Sequence, residues 1–457
     1  MERKIYIRKL ETWLCSERRK PLILEGARQV GKTWLMQEFA KTHFKNVVYV
    51  RFDKNPILRN VFSKDFDLDR ILRDLQIRFN TTIDAKDTIV LLDEIQACKD
   101  ALTSLKYFCE ERPDLAVIAA GSLLGLEYRD DAEADAKDAV EGTTGFPVGK
   151  VNMLAVHPFS FLEFLAAVGE DLLAGCIRKC EWSTMATFKE QIEDLLKHYY
   201  VVGGMPEAVD AYRRVRNFKE VREIHREILK GYLRDISKHA PKSEVPKIEL
   251  CWQSVPAQLA KENKKFFYAE LKKGARSAQF ADSLRWLEDA GLIGCVKRVK
   301  KPSLPLEGYA DGAFKVFLLD VGLLSTMSGL APEVVLEGVR VFSEFKGALT
   351  EQYVYQQLKA ETELVPYYYS QDDSQCEVDF LVQLGMDVCP IEVKAEENVR
   401  SQSLKSYRVK FNPIRAFRVS MKNYDEQGQL VNIPLAGVQA DAFKTRAARE
   451  HQSFVIT

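Results

Sequence analysis

Three sets of residues in this chain of 457 have the types and spacing to do chemistry. The first is Gly26-Ala27-Arg28-Gln29-Val30-Gly31-Lys32-Thr33, which fits the pattern G-x-x-x-x-G-K-S/T. Glycines in such a loop let main-chain N–H groups curl around phosphate oxygens at the positive end of the next helix. Lys32 should then reach the β- and γ-phosphates of ATP, and Thr33 should offer its hydroxyl to Mg²⁺. The second set, Asp93 and Glu94, ends the apolar run Thr88-Ile89-Val90-Leu91-Leu92. An aspartate there can hold the magnesium through water, and a neighbouring glutamate can orient and polarise the attacking water. The third set is Glu351, Asp379, Glu392 and Lys394. Buried carboxylates are costly unless paired or metal-bound, so this set reads as a pocket for Mg²⁺ or Mn²⁺ of the type that cuts phosphodiesters, or as salt bridges.

The elements around these residues have to place them. Residues 20–25 are a short apolar run ended by glycine and an amphipathic stretch runs on to Lys41, so the loop joins a strand to a helix. The run before Asp93 is apolar throughout, as a central parallel strand requires. Further strands are predicted over 46–52 and 115–120, the latter followed by Gly121 and Ser122. Ser122 reads equally as a sensor of the γ-phosphate and as a turn residue. Glu351 falls on a helix predicted over 344–360, sharing a face with Ala348, Val354, Tyr355 and Leu358. Residues 376–382 alternate as a strand with Glu377 and Asp379 on one side; residues 390–394 alternate with Glu392 and Lys394 on one face.

Composition bounds the rest. At roughly 100 to 200 residues per domain, the chain exceeds one core, and three parts are expected. Lys+Arg and Asp+Glu are 66 each, so the net charge is zero. A polycation that coats nucleic acid regardless of sequence is excluded, and any nucleic-acid contact has to be local. The nine cysteines are scattered. The closest pair, Cys176 and Cys180, has no second pair or histidine nearby to complete a zinc site, so reduced structural thiols are expected. Met1-Glu2-Arg3-Lys4 opens no apolar signal segment, and no stretch reaches the roughly 18 apolar residues of a membrane span. A cytoplasmic protein without a membrane partner is expected.

The Gly26 to Thr33 loop, taken with Leu92-Asp93-Glu94-Ile95-Gln96, resembles a large prokaryotic family of AAA-type ATPases. The likeness continues through Phe146-Pro147-Val148-Gly149-Lys150-Val151, His157-Pro158-Phe159-Ser160-Phe161-Leu162-Glu163-Phe164 and Gly203-Gly204-Met205-Pro206-Glu207. It implies a carboxy-terminal domain of unknown function, whose signature residues 314–324 resemble. It also implies that Pro206 belongs to a lid motif set against the adenine base, whereas spacing alone says a helix start after a glycine turn. Many such ATPases donate an arginine finger between subunits; Arg28 and Arg234 are candidates, and neither is assigned. The third set resembles the PD-(D/E)xK nuclease superfamily, which implies that Asp379 and Glu392 hold a divalent metal while Lys394 helps activate water. Glu351 precedes them in the superfamily's helix, strand, strand order. A degenerate site, with Lys394 salt-bridged to Glu392 or Asp379, stays open.

Between these sets, residues 208–245 are basic and helical with interleaved glutamates, the pattern of a solvated face. Residues 248–299 then read as three helices and a β-ribbon, the order of a winged helix. If that module binds DNA, helix 280–287 would enter the major groove while Lys297, Arg298, Lys300 and Lys301 touch phosphates. Between Arg129 and Thr144, Asp130, Asp131, Glu133, Asp135, Asp138 and Glu141 crowd a stretch without apolar period, expected to be a solvated insertion or an acidic arm.

The expected fold class is α/β: a P-loop NTPase (AAA-type) core at 1–200, a helical lid at 201–245, a winged-helix module at 246–330 and a restriction-endonuclease-like domain at 331–457. ATP binding and hydrolysis with Mg²⁺ is the expected activity. Two readings of the remainder compete. One is a nucleic-acid-directed nuclease acting through Asp379, Glu392 and Lys394. The other is an ATP-dependent molecular switch whose carboxy-terminal domain only binds a partner. DNA, another protein and a second copy of the chain stay open as partners.

Overall fold

The structure, a computed structural model, describes residues 3–122, 124, 146–261, 264–337, 343–371, 376–396 and 402–444. The acidic stretch between Arg129 and Thr144 lies outside the described residues. Of the described residues, 3–157 with 289–292 form one compact unit, and 158–288 with those from 293 onward form another.

The first unit opens with α1 (Lys4–Leu14) and then alternates: β1 (Leu22–Glu25), α2 (Lys32–His43), β2 (Asn46–Arg51), α3 (Pro56–Ser63), α4 (Leu68–Phe79), β3 (Thr88–Asp93), α5 (Lys99–Glu111), β4 (Ala116–Ala120) and β5 (Asn152–Ala155). The helix starts are written in the sequence. Asn55 and Asp67 cap α3 and α4 by accepting from the main chain of Leu58 and Arg70, and Pro56 fills the first turn of α3. All neighbouring strands pair in parallel, in the order β2-β3-β4-β1-β5. β3 and β4 are buried along their whole length, which is why they read as unbroken apolar runs. Phe52, Phe62, Ile71, Leu75, Leu105 and Phe108 form part of the core that seats α3, α4 and α5. Because parallel strands end on the same edge, the loops after β1, β3 and β4 come together there.

The second unit holds α6 (Phe161–Ala167), α7 (Asp171–Arg178), α8 (Trp182–Thr187), α9 (Lys189–Val202), α10 (Pro206–Val215), α11 (Phe218–His239), α12 (Val245–Leu259) and α13 (Ser277–Asp289). The hairpin β6 (Ile293–Val299) and β7 (Ala310–Leu318) follows, then α14 (Val321–Met327), α15 (Pro332–Glu337) and α16 (Ser343–Glu361). β8 (Tyr367–Ser370), β9 (Glu377–Leu384), β10 (Asp387–Val393), α17 (Gln402–Phe411), β11 (Ala416–Ser420), β12 (Asp425–Gln427) and β13 (Leu430–Pro434) complete it. Among the described residues its strands make one eight-stranded sheet, ordered β12-β13-β11-β10-β9-β8-β6-β7.

That sheet corrects the expected domain boundaries. The core ends at His157 rather than at residue 200, and no boundary falls near residue 330, because β6 pairs in parallel with β8 at Arg298 and Val299. The supposed wing is thus the edge of a larger sheet. Its cations are already matched: Lys297 pairs with Glu307, Arg298 with Asp311 at 2.6 Å, Lys300 with Asp311 at 3.5 Å, and Lys301 lies over the Tyr309 ring. Helix α13 buries Phe280, Leu284, Trp286 and Leu287 and exposes Asp282, Arg285 and Glu288, a face with more acid than base. Neither feature suits a DNA-reading helix and wing.

From Ala348 to Glu361 helix α16 is buried on every face except at Lys359, so its polar side chains need partners. Gln352 exchanges hydrogen bonds with the main chain of Leu318, at 2.8 and 2.6 Å. Gln356 accepts from Val321 N and donates to Tyr199 and Asp320; Gln357 accepts from Phe161 N. Asp320 in turn accepts from Gly204 N at 2.6 Å and caps α14 through Leu323 N at 2.9 Å. Here the glycines are obligatory. A Cβ on Gly203 would meet Asp320 Oδ1 at 2.2 Å, and one on Gly204 would meet the Phe159 carbonyl at 2.1 Å. Three motifs quoted above, around Phe159, Gly203 and Asp320, therefore form one buried polar knot. Pro206 fills the first turn of α10, where its missing N–H is no loss.

Candidate nucleotide site and carboxylate cluster

The loop between β1 and α2 is shaped for close approach. Gly26 has φ +129°, and a Cβ there would meet the Val156 carbonyl at 2.4 Å; Gly31 has φ +93° and turns directly into α2. Gln29 also takes a positive φ, +66°, of the kind that costs a non-glycine residue roughly 1–2 kcal/mol and tends to be held at working sites. No side chain caps α2, so its first-turn N–H groups suit an anion. Lys32 is 8% exposed and donates to the carbonyls of Gly26 and Ala27, both at 2.7 Å. Burial lowers its pKa to about 8, against the pull of Glu94 and Asp93.

Asp93, at the end of β3, gathers the rest. Thr33 Oγ1 lies 3.2 and 3.1 Å from its two carboxylate oxygens, Tyr49 Oη donates to Oδ2 at 2.6 Å, and Glu94 N donates to Oδ1 at 3.1 Å. A hydroxyl and a carboxylate held together beside a phosphate-shaped loop are the donor set that MgATP asks for, so these residues fit the group. Gln96 Nε2 donates to Glu94 Oε2 and, at 3.3 Å, to Ser122 Oγ, which also accepts from Arg28 Nε at 3.1 Å. Ser122 is thus more than a turn residue: it ties the loop to the partner of Glu94. Behind the loop, the fully buried Arg3 donates to the carbonyls of Val30 at 3.0 Å and His157 at 2.8 Å. The sequence reading of the site did not include Arg3, Tyr49 or Gln96, which the structure brings into contact with these residues. The polar tip of Tyr49 between Val48 and Val50 was the one local signal.

In the second unit Asp379 on β9 and Glu392 on β10 each lie one residue beyond the ladder pair of Phe380 and Ile391. Val393 N donates to Asp379 Oδ2 at 2.7 Å, and Lys394 Nζ is 2.8 Å from Glu392 Oε1. Glu351 on α16 faces two lysines that the expected site did not include: Lys264 pairs with Oε1, and Lys315 stands 3.6 Å from Oε2. Lys315 also forms an ion pair with Glu377 at 2.6 Å. Burial works to raise the Glu351 pKa, but Lys264 and Lys315 outweigh it and hold the group at about 2. Asp379 moves the other way: burial first, then Glu351 and Glu392, push it well above the usual carboxylate range. Lys264, Lys315 and Lys394 thus set three ammonium groups among these carboxyl groups. Of the expected metal set of Glu351, Asp379 and Glu392, Glu351 is engaged by Lys264 and Lys315 and Glu392 by Lys394, and among the described residues no group of three or more His, Cys, Asp or Glu is placed to hold an ion. Among them also, no helix is long and apolar enough to cross a membrane.

Comparison with known proteins agrees with the first unit. Residues 18–165 match an AAA domain, residues 193–334 a domain of unknown function (DUF8612), and residues 346–436 another domain of unknown function (DUF4143). Residues 18–165, which hold the phosphate loop and Asp93, are thus similar to an AAA domain. The eight-stranded sheet draws β6 and β7 from the second matched region and β8 to β13 from the third. No curated protein matches the chain. A solved Walker-type ATPase of Pyrococcus abyssi is similar at 17% identity, over 71% of this chain and 95% of that one, with a TM-score of 0.45. The Orc1 protein of Aeropyrum pernix, solved in complex with DNA, is similar at 12% identity over 72% and 92%, with a TM-score of 0.27.

Proposed function

We propose that this protein is an ATP-dependent molecular switch, which binds MgATP at Gly26 to Thr33, hydrolyses it with Asp93 and Glu94, and uses the nucleotide state to govern what its second unit binds. The observation that carries the reading is the convergence of Thr33, Tyr49 and Glu94 N on Asp93 beside a buried Lys32. Thr33 and Asp93 would hold Mg²⁺, which neutralises charge on the phosphates when bound. Lys32 would leave the carbonyls of Gly26 and Ala27 for phosphate oxygens, its proton retained by their charge. Glu94 would take its proton from the attacking water once Gln96 lets the carboxylate turn toward it. Ala27, Arg28, Gln29 and Val30 supply the loop's main-chain N–H groups, and Ser122 aligns Arg28 and Gln96. A contact of Pro206 with adenine rests on family resemblance alone. The test is Mg²⁺-dependent ATP turnover by the purified chain and its loss in Asp93→Asn; turnover unchanged in that variant would remove the proposal.

A second reading, metal-dependent cutting of DNA at Asp379, Glu392 and Lys394, is favoured by the E-x-K pair beside Asp379, with Lys394 at 2.8 Å from Glu392. Incubating DNA with the chain and Mg²⁺ or Mn²⁺ separates the two readings. Cutting that Asp379→Ala abolishes supports the nuclease; intact DNA with active ATP turnover supports the switch.

A further inference from the structure

The second unit holds a charge arrangement that the switch reading leaves unused. Lys315 sits mid-strand in β7 between Phe314 and Val316, and its side chain is fully buried. Its Nζ is 2.6 Å from Glu377 Oε1, 3.6 Å from Glu351 Oε2 and 4.0 Å from Asp379 Oδ1. Lys264 takes the other oxygen of Glu351. The stretch that carries Lys264 runs alongside β7, through a bridge between Lys265 and Lys315 and a 2.8 Å hydrogen bond from Phe266 N to the Phe314 carbonyl. The Tyr368 ring lies 5.0 Å from Lys315 Nζ, a face that suits an ammonium.

One ammonium within 4.0 Å of three carboxylates stands where a shared cation would stand. Two unit charges of like sign held about 4 Å apart in a buried site repel strongly, and a divalent ion doubles the repulsion. A metal and Lys315 therefore exclude each other. We propose that Lys315, helped by Lys264, is a resident cation that takes the place of a divalent metal among Glu351, Glu377 and Asp379, so that the second unit holds its carboxylates together without metal. The proposal is independent of the ATPase reading.

The test uses the full chain without nucleotide, in an Asp93→Asn background that removes metal binding by the first unit. Mn²⁺ is added in a calorimetric titration and in thermal melts against EDTA. The expected result is no Mn²⁺ binding and no shift in Tm. Adding Lys315→Met should lower the Tm in EDTA and create a Mn²⁺ site that restores it by several degrees, a gain that Asp379→Asn then removes. Lys315→Arg should stay indifferent to Mn²⁺. Binding of Mn²⁺ by the chain with Lys315 intact, lost on Asp379→Asn, overturns the proposal. So does a Lys315→Met chain that Mn²⁺ neither binds nor restores, whether it is folded in EDTA or not.

Discussion

Arg3 donates to the carbonyl of Val30 at 3.0 Å, and by its other terminal nitrogen to the carbonyl of His157 at 2.8 Å, so one guanidinium braces the phosphate loop from behind. Arg3→Ala leaves two main-chain oxygens without these partners, at about 1–3 kcal/mol each. We expect ATP affinity to fall about tenfold, which is ~1.4 kcal/mol, with a lower Tm for the first unit. Arg3→Lys, which cannot span both carbonyls, should fall between. Equal affinity in all three chains, measured by calorimetry, would remove Arg3 from the site.

Lys32 gives the site a pH dependence. Its pKa lies at about 8, against 10.5 for an ordinary lysine, because burial disfavours the ammonium. Phosphates restore the charge. Binding of ATP above that pH should therefore take up a proton, and affinity should fall as pH rises. The sign for folding is opposite: the burial penalty is borne below about pH 8 and is relieved toward 10.5, so the nucleotide-free unit gains stability over that window. Titrations in buffers of different ionisation enthalpy count the proton. Lys32→Ala should lose roughly a hundredfold or more in affinity and lose the proton uptake with it.

Glu94→Gln keeps the shape and removes the base. Nucleotide should still bind while turnover drops roughly 10²- to 10⁴-fold. Gln96→Ala frees Glu94 from its donor and should change turnover with little effect on nucleotide affinity. Single-turnover kinetics beside equilibrium binding tells the two apart, and a Glu94→Gln chain with normal turnover would place the base elsewhere.

Two glycine substitutions in the second unit, one in the knot around Asp320 and one outside it, should act with opposite sign. Gly204→Ala drives a Cβ into the Phe159 main chain and should cost about 3 kcal/mol or more. Gly231 lies within α11 with nothing inside 4 Å of the site of a Cβ, so Gly231→Ala should gain about 0.5–1 kcal/mol. Melts of both variants decide it; a harmless Gly204→Ala would mean the contact yields.

What could be read from the sequence was what lies close together along it. The loop from Gly26 to Thr33, the strand before Asp93 and the E-x-K pair of Glu392 and Lys394 are short patterns whose chemistry is local. The partners that set their behaviour come from far away. Arg3 reaches Val30, Tyr49 reaches Asp93, and Lys264 and Lys315 reach Glu351, and none of these pairs leaves a periodic trace. Lys315 did leave one sign, a charge set within the apolar run from Ala313 to Leu318. Alternation found the β6 and β7 hairpin, but the neighbour of a strand edge is a long-range choice that alternation does not encode, so the hairpin read as a free wing.

The pairing of β6 with β8 also bears on how the chain is made. During synthesis the β6 and β7 hairpin is complete before α16 and β8 have been translated, and until then β6 offers an unpaired edge beside apolar side chains. Lys315 waits through the same interval without Glu351, Glu377 or Asp379. A ribosome stalled between β7 and β8 should therefore hold a nascent chain that chaperones bind and proteases cut, and protection should arrive only when β9 has emerged.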